Sequence, residues 1–456
     1  MDLSINDEVK NIYSQLEKAG YETYLIGGCV RNLLTGTPVT DWDMTTNATP
    51  EQIQEVFPDS FCDNDFGTVG VKFVNRSENE KGYAEITTFR TESNYSDHRH
   101  PGEVSWGKTL EEDVKRRDFT VNALALRLSP DGKAEIIDKV NGQEDLKNKL
   151  IKAVGNPDER FKEDALRLMR AVRFSAQLNF IIEENTFTAI KNDYHLIEHV
   201  SNERIREEII KILSTENPYE GIALLDEIGL LDIIFPELLR GKGISQKRPG
   251  RHHTTDVFTH NLLSLKECPS KDPLVRFAAL LHDVGKPYVA SEDKDGFVIF
   301  YNHEVVGAKV ARDIAERLRF SNKEKEKIHT LIRWHMFTVD EHITDSAVRR
   351  FIRRVGLENV KDMIDLRIGD RLGGGTQTAE SWRLKKFKER LEEQLNPPFS
   401  INDMAIDGND IMEILKIKPG KKIGDILQKL FAEVDEDLSK NNKEFLVTRL
   451  HEIEKE

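Results

Sequence analysis

Two aspartates in the amino-terminal part of the chain have a spacing that suggests metal chemistry. Asp41 and Asp43 flank Trp42 in the segment DWDMTT, which has the composition of an extended strand. Side chains alternate between the two faces of a strand, so both carboxylates lie on one face and Trp42 on the other. Such carboxylates repel each other unless a hard cation, usually Mg²⁺, lies between them. Aspartates also flank many ordinary turns, so the spacing alone does not establish a metal site.

A glycine turn precedes this acidic pair. The apolar run Tyr24–Ile26 predicts a strand, and Gly27 and Gly28 follow it. The next residues predict a short helix that ends at Gly36. Such a turn lets helix N–H groups approach a phosphate, and Arg31 lies one helical turn later, where it can pair with the anion. A phosphate-binding turn beside two aspartates strengthens the metal interpretation.

A second polar cluster lies in RRDFTVNALA, residues 116–125. Arg116 and Arg117 offer guanidinium groups for phosphates. Asp118 and Asn122 offer an acid and an amide, which suit the hydroxyls of a ribose. A salt-bridged helix end is the structural alternative for these residues.

The segment RFKEDALRLMRAVRFSAQLNF, residues 160–180, predicts one amphipathic helix. It places Asp164 and Arg167 at positions i and i+3 of one helix face. On an ordinary helix such residues form a solvent-facing ion pair. Arg170 and Arg173 rotate away from Asp164, Arg173 by about half a turn, so one face cannot present all three arginines equally.

Histidines concentrate between residues 252 and 370. His282 and Asp283 are adjacent in the apolar segment FAALLHDVGK, and His260 lies on an earlier predicted helix. Burial of an aspartate without a partner is costly, so packing alone explains this pair poorly. Imidazole and carboxylate groups that converge between helices bind divalent metals. The residues therefore predict a metal site, although catalysis by that metal does not follow from them.

Alternating segments at residues 69–75 and 83–90 predict strands, and Thr49 is the expected cap of a helix that begins at Pro50. Glu85 supplies a third carboxylate if its strand pairs beside the acidic one, and is otherwise an exposed strand residue. Residues 94–106 lack a clear period, which is typical of a mobile functional loop. Helical patterns dominate the remainder of the chain. A small mixed sheet followed by helices, an α+β fold, is therefore expected.

The composition narrows the functional class. The 456 residues suggest several folding units, and the net charge of −14 argues against indiscriminate coating of nucleic acid. Residues 241–253 and 383–390 are local basic segments, each of which is more often a solvated surface. No apolar run reaches the roughly 20 residues of a membrane span. Three scattered cysteines and a polar start of the chain indicate a cytoplasmic protein without a membrane partner.

Three ordered motifs, GGCVRNLLTG…DWD, RRDFTVNALA and EDALRLMRAVRF, resemble those of class II tRNA nucleotidyltransferases, the bacterial CCA-adding enzymes and their poly(A) polymerase relatives. LLHDVGKP resembles the HD phosphohydrolase domain that some of these enzymes carry. The resemblance implies a small mixed-sheet, polymerase-β-like nucleotidyltransferase head, an all-α neck, an HD-containing body and a C-terminal tail. We place these parts at residues 1–150, 151–245, 246–390 and 391–456, with the nucleotide-selecting helix in the neck.

The implied reaction adds CMP, CMP and AMP to the 3′ acceptor end of tRNA from CTP and ATP, without a nucleic-acid template. Asp41 and Asp43 match the catalytic carboxylates that hold Mg²⁺. The residues that match nucleotide contacts are Gly28, Arg31, Arg117, Asp118, Asn122, Asp164, Arg167, Arg170 and Arg173. Gly28 and Arg31 match the triphosphate contact, and Arg117 a further phosphate contact. The others match the ribose region and the protein template that recognises the edge of cytosine or adenine.

The HD resemblance implies a site for a transition metal such as Ni²⁺ or Mn²⁺. The matching ligands are His260, His282, Asp283 and Asp370. His303 and His335 are further candidates on spacing alone. A secondary phosphatase or phosphodiesterase activity on damaged 3′ ends is the expected chemistry of this site.

One position departs from the family pattern. Asn32 stands where the family usually has aspartate after the motif arginine, and we expect an altered orientation of Arg31 rather than lost activity. Several functions remain open at this point: full CCA addition, addition of A alone, addition of CC alone, and poly(A) synthesis. The length of the segment 94–106 disfavours CC addition alone. An HD phosphohydrolase with a nucleotide-sensing amino-terminal region is the alternative of a different class, and the oligomeric state stays open.

Overall fold

The computed structural model describes residues 3–63, 67–75, 80–95, 101–129, 133–246, 255–337, 339, 343–394 and 400–455. The chain folds into two compact units. The first contains Met1–Leu239 and Arg317–Arg319, and the second contains Arg240–Glu316 and Phe320–Glu456. No helix within the described ranges is long and apolar enough to cross a membrane.

The first unit begins with a mixed sheet and its covering helices. The helices are α1 (Asp7–Lys18), α2 (Gly28–Thr35), α3 (Pro50–Val56), α4 (Leu110–Lys115) and α5 (Gly142–Lys147). The strands are β1 (Thr23–Ile26), β2 (Trp42–Thr46), β3 (Phe61–Asp63), β4 (Thr68–Asn75), β5 (Glu80–Thr88), β6 (Arg90–Tyr95), β7 (Pro101–Trp106), β8 (Ala125–Leu128) and β9 (Ala134–Ile137). Seven strands pair in the order β3-β4-β5-β2-β1-β8-β9, with β2 and β5 parallel. The predicted mixed sheet is confirmed.

Local sequence signals explain how this sheet begins. The apolar residues of β1 are fully buried, Gly27 turns the chain, and α2 ends at Gly36, which has a left-handed φ of 70°. Thr49 caps α3 with a capping box, and Pro50 is its first residue, as predicted. Met44 on β2, Ile86 on β5 and other apolar residues then form one buried core beneath the sheet.

The prediction of an irregular loop at residues 94–106 is wrong for those of its residues that the structure describes. β7 pairs antiparallel with β6, and the two strands form a hairpin outside the main sheet. Residues 96–100 lie outside the described residues. The strand escaped prediction because its hydrogen bonds come from β6, whereas Pro101 and Gly102 weaken its own periodicity.

The remainder of the first unit is mainly helical. Its helices are α6 (Pro157–Glu163), α7 (Leu166–Leu178), α8 (Glu184–Asp193), α9 (Asn202–Leu213), α10 (Pro218–Glu227), α11 (Leu230–Ile234) and α12 (Pro236–Leu239). Two short parallel strands are β10 (Leu150–Ile151) and β11 (Ile181–Ile182). The prediction of a single helix over residues 160–180 is wrong. Asp164 lies between α6 and α7 in an extended conformation, with a φ of −138° and a ψ of 102°. Its side chain accepts a hydrogen bond from the backbone N–H of Leu166 at 3.1 Å, which helps to start α7.

The second unit is almost entirely helical. Its helices are α13 (Val257–Glu267), α14 (Pro273–Leu281), α15 (Lys286–Val289), α16 (His303–Arg317), α17 (Asn322–Trp334), α18 (Asp345–Val355), α19 (Val360–Gly373), α20 (Trp382–Gln394), α21 (Gly408–Leu415), α22 (Lys421–Glu436) and α23 (Lys443–Lys455). A small hairpin consists of β12 (Ser291–Glu292) and β13 (Val298–Ile299). The last three helices share an apolar core of their own. Arg349 of α18 anchors them through a 2.8 Å hydrogen bond from its Nε to Asp435 of α22.

The predicted basic segments fall in different places. Residues 383–390 lie within α20. Of the segment 241–253, residues 247–253 lie outside the described residues, and His252 and His253 are among them.

Candidate functional sites

Three carboxylates lie on one face of the mixed sheet. Asp43 belongs to β2, and Asp41 immediately precedes that strand. Parallel pairing of β2 with β5 places Glu85 directly beside Asp43, so both project from the same face. The strand pairing on which the prediction for Glu85 depended is therefore present, although its role in metal binding stays a prediction.

The acidic face is short of positive charge around its central residue. Burial, together with the charges of Glu85 and Asp41, raises the pKa of Asp43 to about 6, against the opposing effect of Arg117. A bound divalent cation would relieve this repulsion. The donor set of carboxylate oxygens is the type that Mg²⁺ prefers, so these residues fit such an ion.

The glycine turn meets this acidic face at Gly27. Its φ of 83° is unfavourable for a residue with a Cβ atom. A Cβ there would also lie 3.3 Å from Nη1 of Arg117 and 3.3 Å from Oδ2 of Asp43. Gly28, the predicted phosphate contact, begins α2 and has no such crowding. The backbone turn, an arginine and an acidic residue therefore come together around Gly27.

Arg31 is fixed by two asparagines. Oδ1 of Asn32 accepts hydrogen bonds from Nε and Nη2 of Arg31 at 3.2 and 3.0 Å, and Asn122 accepts one from Nη1. The other end of the Asn32 amide donates to the carbonyl of Pro38 at 3.3 Å. An aspartate could not make that last bond, which gives the departure at Asn32 a structural reason. Burial lowers the pKa of Arg31 to about 10, so the side chain stays charged at neutral pH.

A buried aspartate orients the neighbouring arginines. Asp113 of α4 is fully buried and accepts hydrogen bonds from Nε of Arg116 at 3.0 Å and Nη2 of Arg117 at 3.0 Å. The structural alternative, a salt-bridged helix end, is thus also present. These ion pairs leave Nη1 of Arg117 directed towards the glycine turn, where it lies 3.5 Å from the carbonyl oxygen of Asn122.

Asp118 links this cluster to α7. Its carboxylate accepts hydrogen bonds from the backbone N–H of Phe119 at 2.7 Å and from Nε of Arg170 at 2.8 Å. Burial would raise the pKa of Asp118, but Arg170 and the hydrogen bonds outweigh burial and lower it to about 2. Asp118 therefore stays ionised, and part of its charge is committed to Arg170.

Three guanidinium groups surround the ring of Phe174. The Cζ atoms of Arg31, Arg170 and Arg173 lie 5.5, 5.4 and 4.0 Å from its centroid. Phe174 is buried and makes an edge contact with Phe119. The ring holds like charges close together, which concentrates positive potential beside the turn. Phe174 was not predicted from the sequence, although it follows Arg173 directly.

The two residues predicted to read a base do not pair with each other. Oδ2 of Asp164 accepts a hydrogen bond from Arg204 of α9 at 2.9 Å. Arg167 is buried and donates to Glu163 at 2.7 Å and to the backbone carbonyls of Arg160 and Arg116. Both side chains therefore already have partners within the protein. Glu163 and Arg204 were not singled out by the sequence.

In the second unit, four side chains from three chain segments converge. Nε2 of His260 lies 3.2 Å from Nε2 of His282, 3.4 Å from Asp283 and 3.3 Å from Asp370. Gly369 permits this arrangement, since a Cβ there would lie 2.6 Å from the carbonyl of Ser264 and would push α19 away from α13. The predicted ligand set is thus brought together, and the two carboxylates and two imidazoles suit a divalent transition metal.

A second group shares Asp283. Its Oδ1 lies 3.3 Å from Nε2 of His303 and 3.8 Å from Nε2 of His335, whereas its Oδ2 faces His260 and His282. The imidazole Nδ1 atoms of His282, His303 and His335 face backbone carbonyls at 2.7 to 2.8 Å. Those contacts assign the proton to Nδ1 and leave Nε2 free to bind a metal. We call the six side chains of both groups, including Asp370, the HD cluster.

The electrostatics of the HD cluster also fit a metal. Burial would lower the pKa of His282, but Asp283 and Asp370 raise it to about 10. Burial and the charge on His282 lower the pKa of His335 to about 3. Lys286 is buried and hydrogen-bonds to Asp283. Burial would raise the pKa values of Asp283 and Asp370, but neighbouring positive charge, including that of His282, holds both well below the usual range. Both carboxylates are therefore ionised, and a divalent cation could take the place of the proton on His282.

Family comparisons agree with the order of these sites. Residues 23–152 match the family described as "Poly A polymerase head domain". Residues 179–241 match "Probable RNA and SrmB- binding site of polymerase A", and residues 259–372 match the HD domain. The predicted resemblance to this polymerase family and to the HD domain is thereby confirmed, whereas the division at residues 150, 245 and 390 stays a prediction.

Similar proteins cover almost the whole chain. The CCA-adding enzyme of Ligilactobacillus salivarius is 34% identical over 97% of this chain and 96% of its own length. That of Limosilactobacillus reuteri is 32% identical over 99% and 98%. The crystal structure of the Bacillus stearothermophilus CCA-adding enzyme in complex with CTP has a TM-score of 0.73 and 26% identity, and the match covers 98% of this chain and 97% of that one. The chain therefore belongs to the family of CCA-adding enzymes.

Proposed function

We propose that this protein adds C, C and A to the 3′ end of tRNA, using CTP and ATP and no nucleic-acid template. The observation that carries this proposal is the meeting of turn, arginine and acid around Gly27. A triphosphate and a metal need these groups at one place. The relatives named CCA-adding enzymes, one of them solved with CTP, support the choice of substrate.

In this reaction the 3′ hydroxyl oxygen of the tRNA forms a bond to the α-phosphorus of the nucleotide, and pyrophosphate leaves. Asp41 and Asp43 are the proposed catalytic carboxylates that hold Mg²⁺, and Glu85 stands beside them. When bound, Mg²⁺ lowers the pKa of the attacking hydroxyl and neutralises charge on the leaving group. The raised pKa of Asp43 supports this assignment, because burial and the neighbouring Glu85 and Asp41 disfavour its negative charge, which a bound cation would stabilise.

The arginines take the opposite role. Gly28, Arg31 and Arg117 line the turn and would bind the triphosphate by charge-assisted hydrogen bonds. Asn122 and Asp118 would orient the ribose. Arg170 and Arg173 act mainly through Asp118 and Phe174, to which their side chains already bind, so we assign them supporting roles.

Asp164 and Arg167 would select the base. An acid accepts from the exocyclic amine that cytosine and adenine share, and arginine donates to ring acceptors. Guanine and uracil present the opposite groups there and would leave charges unpaired. Because Arg204 and Glu163 already hold these two side chains, a bound base would have to share or replace these contacts.

The test uses tRNA transcripts that end before CCA, after CC, or at the mature end, each with a single nucleotide. CCA addition predicts C incorporation on the first transcript, A on the second and none on the third. Incorporation of A on the second alone would instead identify an A-adding enzyme. A long A tail on an unrelated oligonucleotide would overturn the proposal in favour of a poly(A) polymerase.

The HD cluster favours a second activity, hydrolysis of phosphate esters at damaged RNA 3′ ends with Ni²⁺, Mn²⁺ or a similar ion. The observation that supports this second activity is the convergence of four side chains around one position: His260, His282, Asp283 and Asp370. The test combines metal analysis of the purified protein with hydrolysis of a 2′,3′-cyclic phosphate. Absence of both metal and hydrolysis would overturn this second function.

The division into head, neck, HD body and tail at residues 150, 245 and 390 remains part of the proposal, as does a cytoplasmic location.

A further inference from the structure

Two adjoining pockets in the second unit combine arginines with aromatic side chains. The larger has a volume of about 610 Å³, and its charged and aromatic lining includes Arg333, Arg350, Arg354 and Trp334. The smaller has a volume of about 410 Å³, and its lining includes Arg367, Arg371, Arg383 and Trp382. Phe337 lines both pockets and joins them.

Both pockets lie next to the HD cluster, although none of its six side chains lines either one. Glu304 lines the larger one and lies 3.8 Å from Nδ1 of His303. Trp334 and Met336, also in its wall, are the sequence neighbours of His335. In the smaller pocket, Arg367 donates to Asp370 at 3.1 Å and lies over the ring of Phe337. Glu304 and Arg367 therefore each line a pocket and contact a member of the cluster, so a phosphate bound by Arg367 would lie close to Asp370.

The pockets are positive in a chain of net charge −14. Of the described residues that line them, Glu304 is the one acid, and its Oε1 faces Arg333 at 3.7 Å. Arg350 hydrogen-bonds to Ser346 and Arg354 stacks on Trp334, and neither has a carboxylate within 4.0 Å among the residues that the structure describes. Nε of Arg371 is buried and has no hydrogen-bond partner in the described part of the chain. Within the described ranges, Arg350, Arg354 and Arg371 thus have no carboxylate partner.

The exposed apolar side chains of the two pockets favour an anionic ligand that also has aromatic rings. Met336 is 57% exposed and Trp382 is 56% exposed, unusual values for large hydrophobic side chains. Phe337, Phe351 and Phe387 form a ring cluster with centroids 4.8 to 5.4 Å apart at the junction. Proteins bind single-stranded RNA with such a combination of aromatic side chains and arginines, because bases stack on the rings and arginines pair with phosphates.

We propose that the two pockets bind the last two nucleotides of a single-stranded RNA 3′ end and hold its terminal phosphate at the HD cluster. This inference rests on the second function proposed above, hydrolysis at the HD cluster. A free nucleoside phosphate would fill only one pocket, so the protein discriminates between an RNA end and a mononucleotide.

The kinetic test compares a 2′,3′-cyclic mononucleotide with a short single-stranded RNA that ends in the same cyclic phosphate. Stacking of one additional base predicts kcat/KM about tenfold or more higher for the RNA. Trp382→Ala and Arg371→Gln are expected to abolish this preference. Arg350→Gln with Arg354→Gln should raise KM about tenfold or more with little change in kcat. Arg312→Gln, an exposed arginine of the same unit outside both pockets, is the matched control. Equal kcat/KM for both substrates would overturn the proposal.

A binding test separates failure of the inference from failure of hydrolysis. An RNA with 4-thiouridine as its last nucleotide is cross-linked to the full-length protein, and the modified peptides are identified by mass spectrometry. Cross-links at residues 334–337 or 381–384 would support the pockets, even if no hydrolysis is detected. Cross-links confined to the first unit would overturn the inference whether or not the HD cluster is active.

Discussion

The head and the HD cluster both gather carboxylates, but they hold them in opposite surroundings. Asp41 and Glu85 are exposed, and Asp43 is half-buried beside a turn that can accept a triphosphate. In the HD cluster His260, His282 and Asp283 are buried. Potential metal ligands are histidine, cysteine, aspartate and glutamate side chains. Within the described ranges, the only groups of three or more of them whose ligand atoms lie within 4.8 Å of one another belong to the HD cluster.

This difference in burial and convergence predicts how each site acquires its metal. A buried, convergent set of imidazoles and carboxylates is complete before any substrate arrives, so we expect it to retain a metal through purification. A spread acidic pair offers Mg²⁺ few ligands and leaves the remaining positions to water and substrate phosphates. The head should therefore bind its metal together with the nucleotide.

Separate substitutions provide the sharpest test of this contrast. Asp43→Ala is expected to lower CCA addition by roughly a thousandfold, since it removes a central part of transition-state charge stabilisation. His282→Ala should leave CCA addition intact and abolish hydrolysis of a 2′,3′-cyclic phosphate. Both activities are measured on the same preparations, with circular dichroism to check folding. If Asp43→Ala kept the main activity of the protein and His282→Ala abolished it, an HD enzyme with a nucleotide-sensing head would be favoured instead.

Metal removal tests the difference in retention. Brief passage through buffer with EDTA should strip the head completely, and nucleotide addition should return at once when Mg²⁺ is added. The HD cluster should keep about one metal ion or more per chain, as measured by elemental mass spectrometry. Asp283→Ala, which removes the shared ligand, should lose this retained metal. Parallel loss of metal from wild-type protein and Asp283→Ala would contradict the contrast.

Glu85 tests how far the acidic face extends. Glu85→Gln preserves shape but removes one charge beside Asp43, and we expect kcat for CCA addition to fall about tenfold, with a higher Mg²⁺ requirement. The Mg²⁺ dependence of initial rates provides the measurement. Glu135→Gln, on β9 of the same sheet, serves as the control. An unchanged Mg²⁺ dependence would limit the site to Asp41 and Asp43.

The smallest effect concerns stability without metal. Because the folded pKa of Asp43 is raised to about 6 from 3.8, the folded chain binds this proton more tightly than the unfolded chain. Its ionisation therefore lowers the free energy of unfolding as pH rises from about 4 through 6, by about 3 kcal/mol in total. Asp43→Asn should then stabilise the protein in EDTA at pH 7.5 but hardly at pH 4. Thermal unfolding at both pH values measures this, and Asp59→Asn controls for the loss of an exposed charge. Equal stabilisation at both pH values would be the contrary result.

Local signals in the sequence reveal much of the head but not its tertiary contacts. The turn at Gly27, the capping box at Thr49 and the identity of the acidic pair follow from short-range rules. The position of Glu85 depends on pairing between β2 and β5, whose residues are about forty apart, and no local pattern sets that register. The strand β7 escaped prediction for a different reason, since Pro101 and Gly102 weaken its own periodicity.

The break at Asp164 shows a different limit. The helical period continues through residues 160–180, whereas the structure interrupts it where Arg204 holds the Asp164 carboxylate. An aspartate before an apolar run is itself a helix-start signal, and it could have suggested the break. In the second unit, His303 and His335 were identified only from spacing, because their shared contact with Asp283 arises from the packing of separate helices.

The internal partners of Asp164 and Arg167 have a consequence for nucleotide affinity. A base that enters this site meets side chains that already have partners, so its net gain in free energy is smaller than at a site with unsatisfied groups. CTP and ATP alone should thus bind weakly, and a wrong base should fail to displace the internal contacts at all. The enzyme would then reject GTP and UTP through competition with its own side chains, before any tRNA is committed.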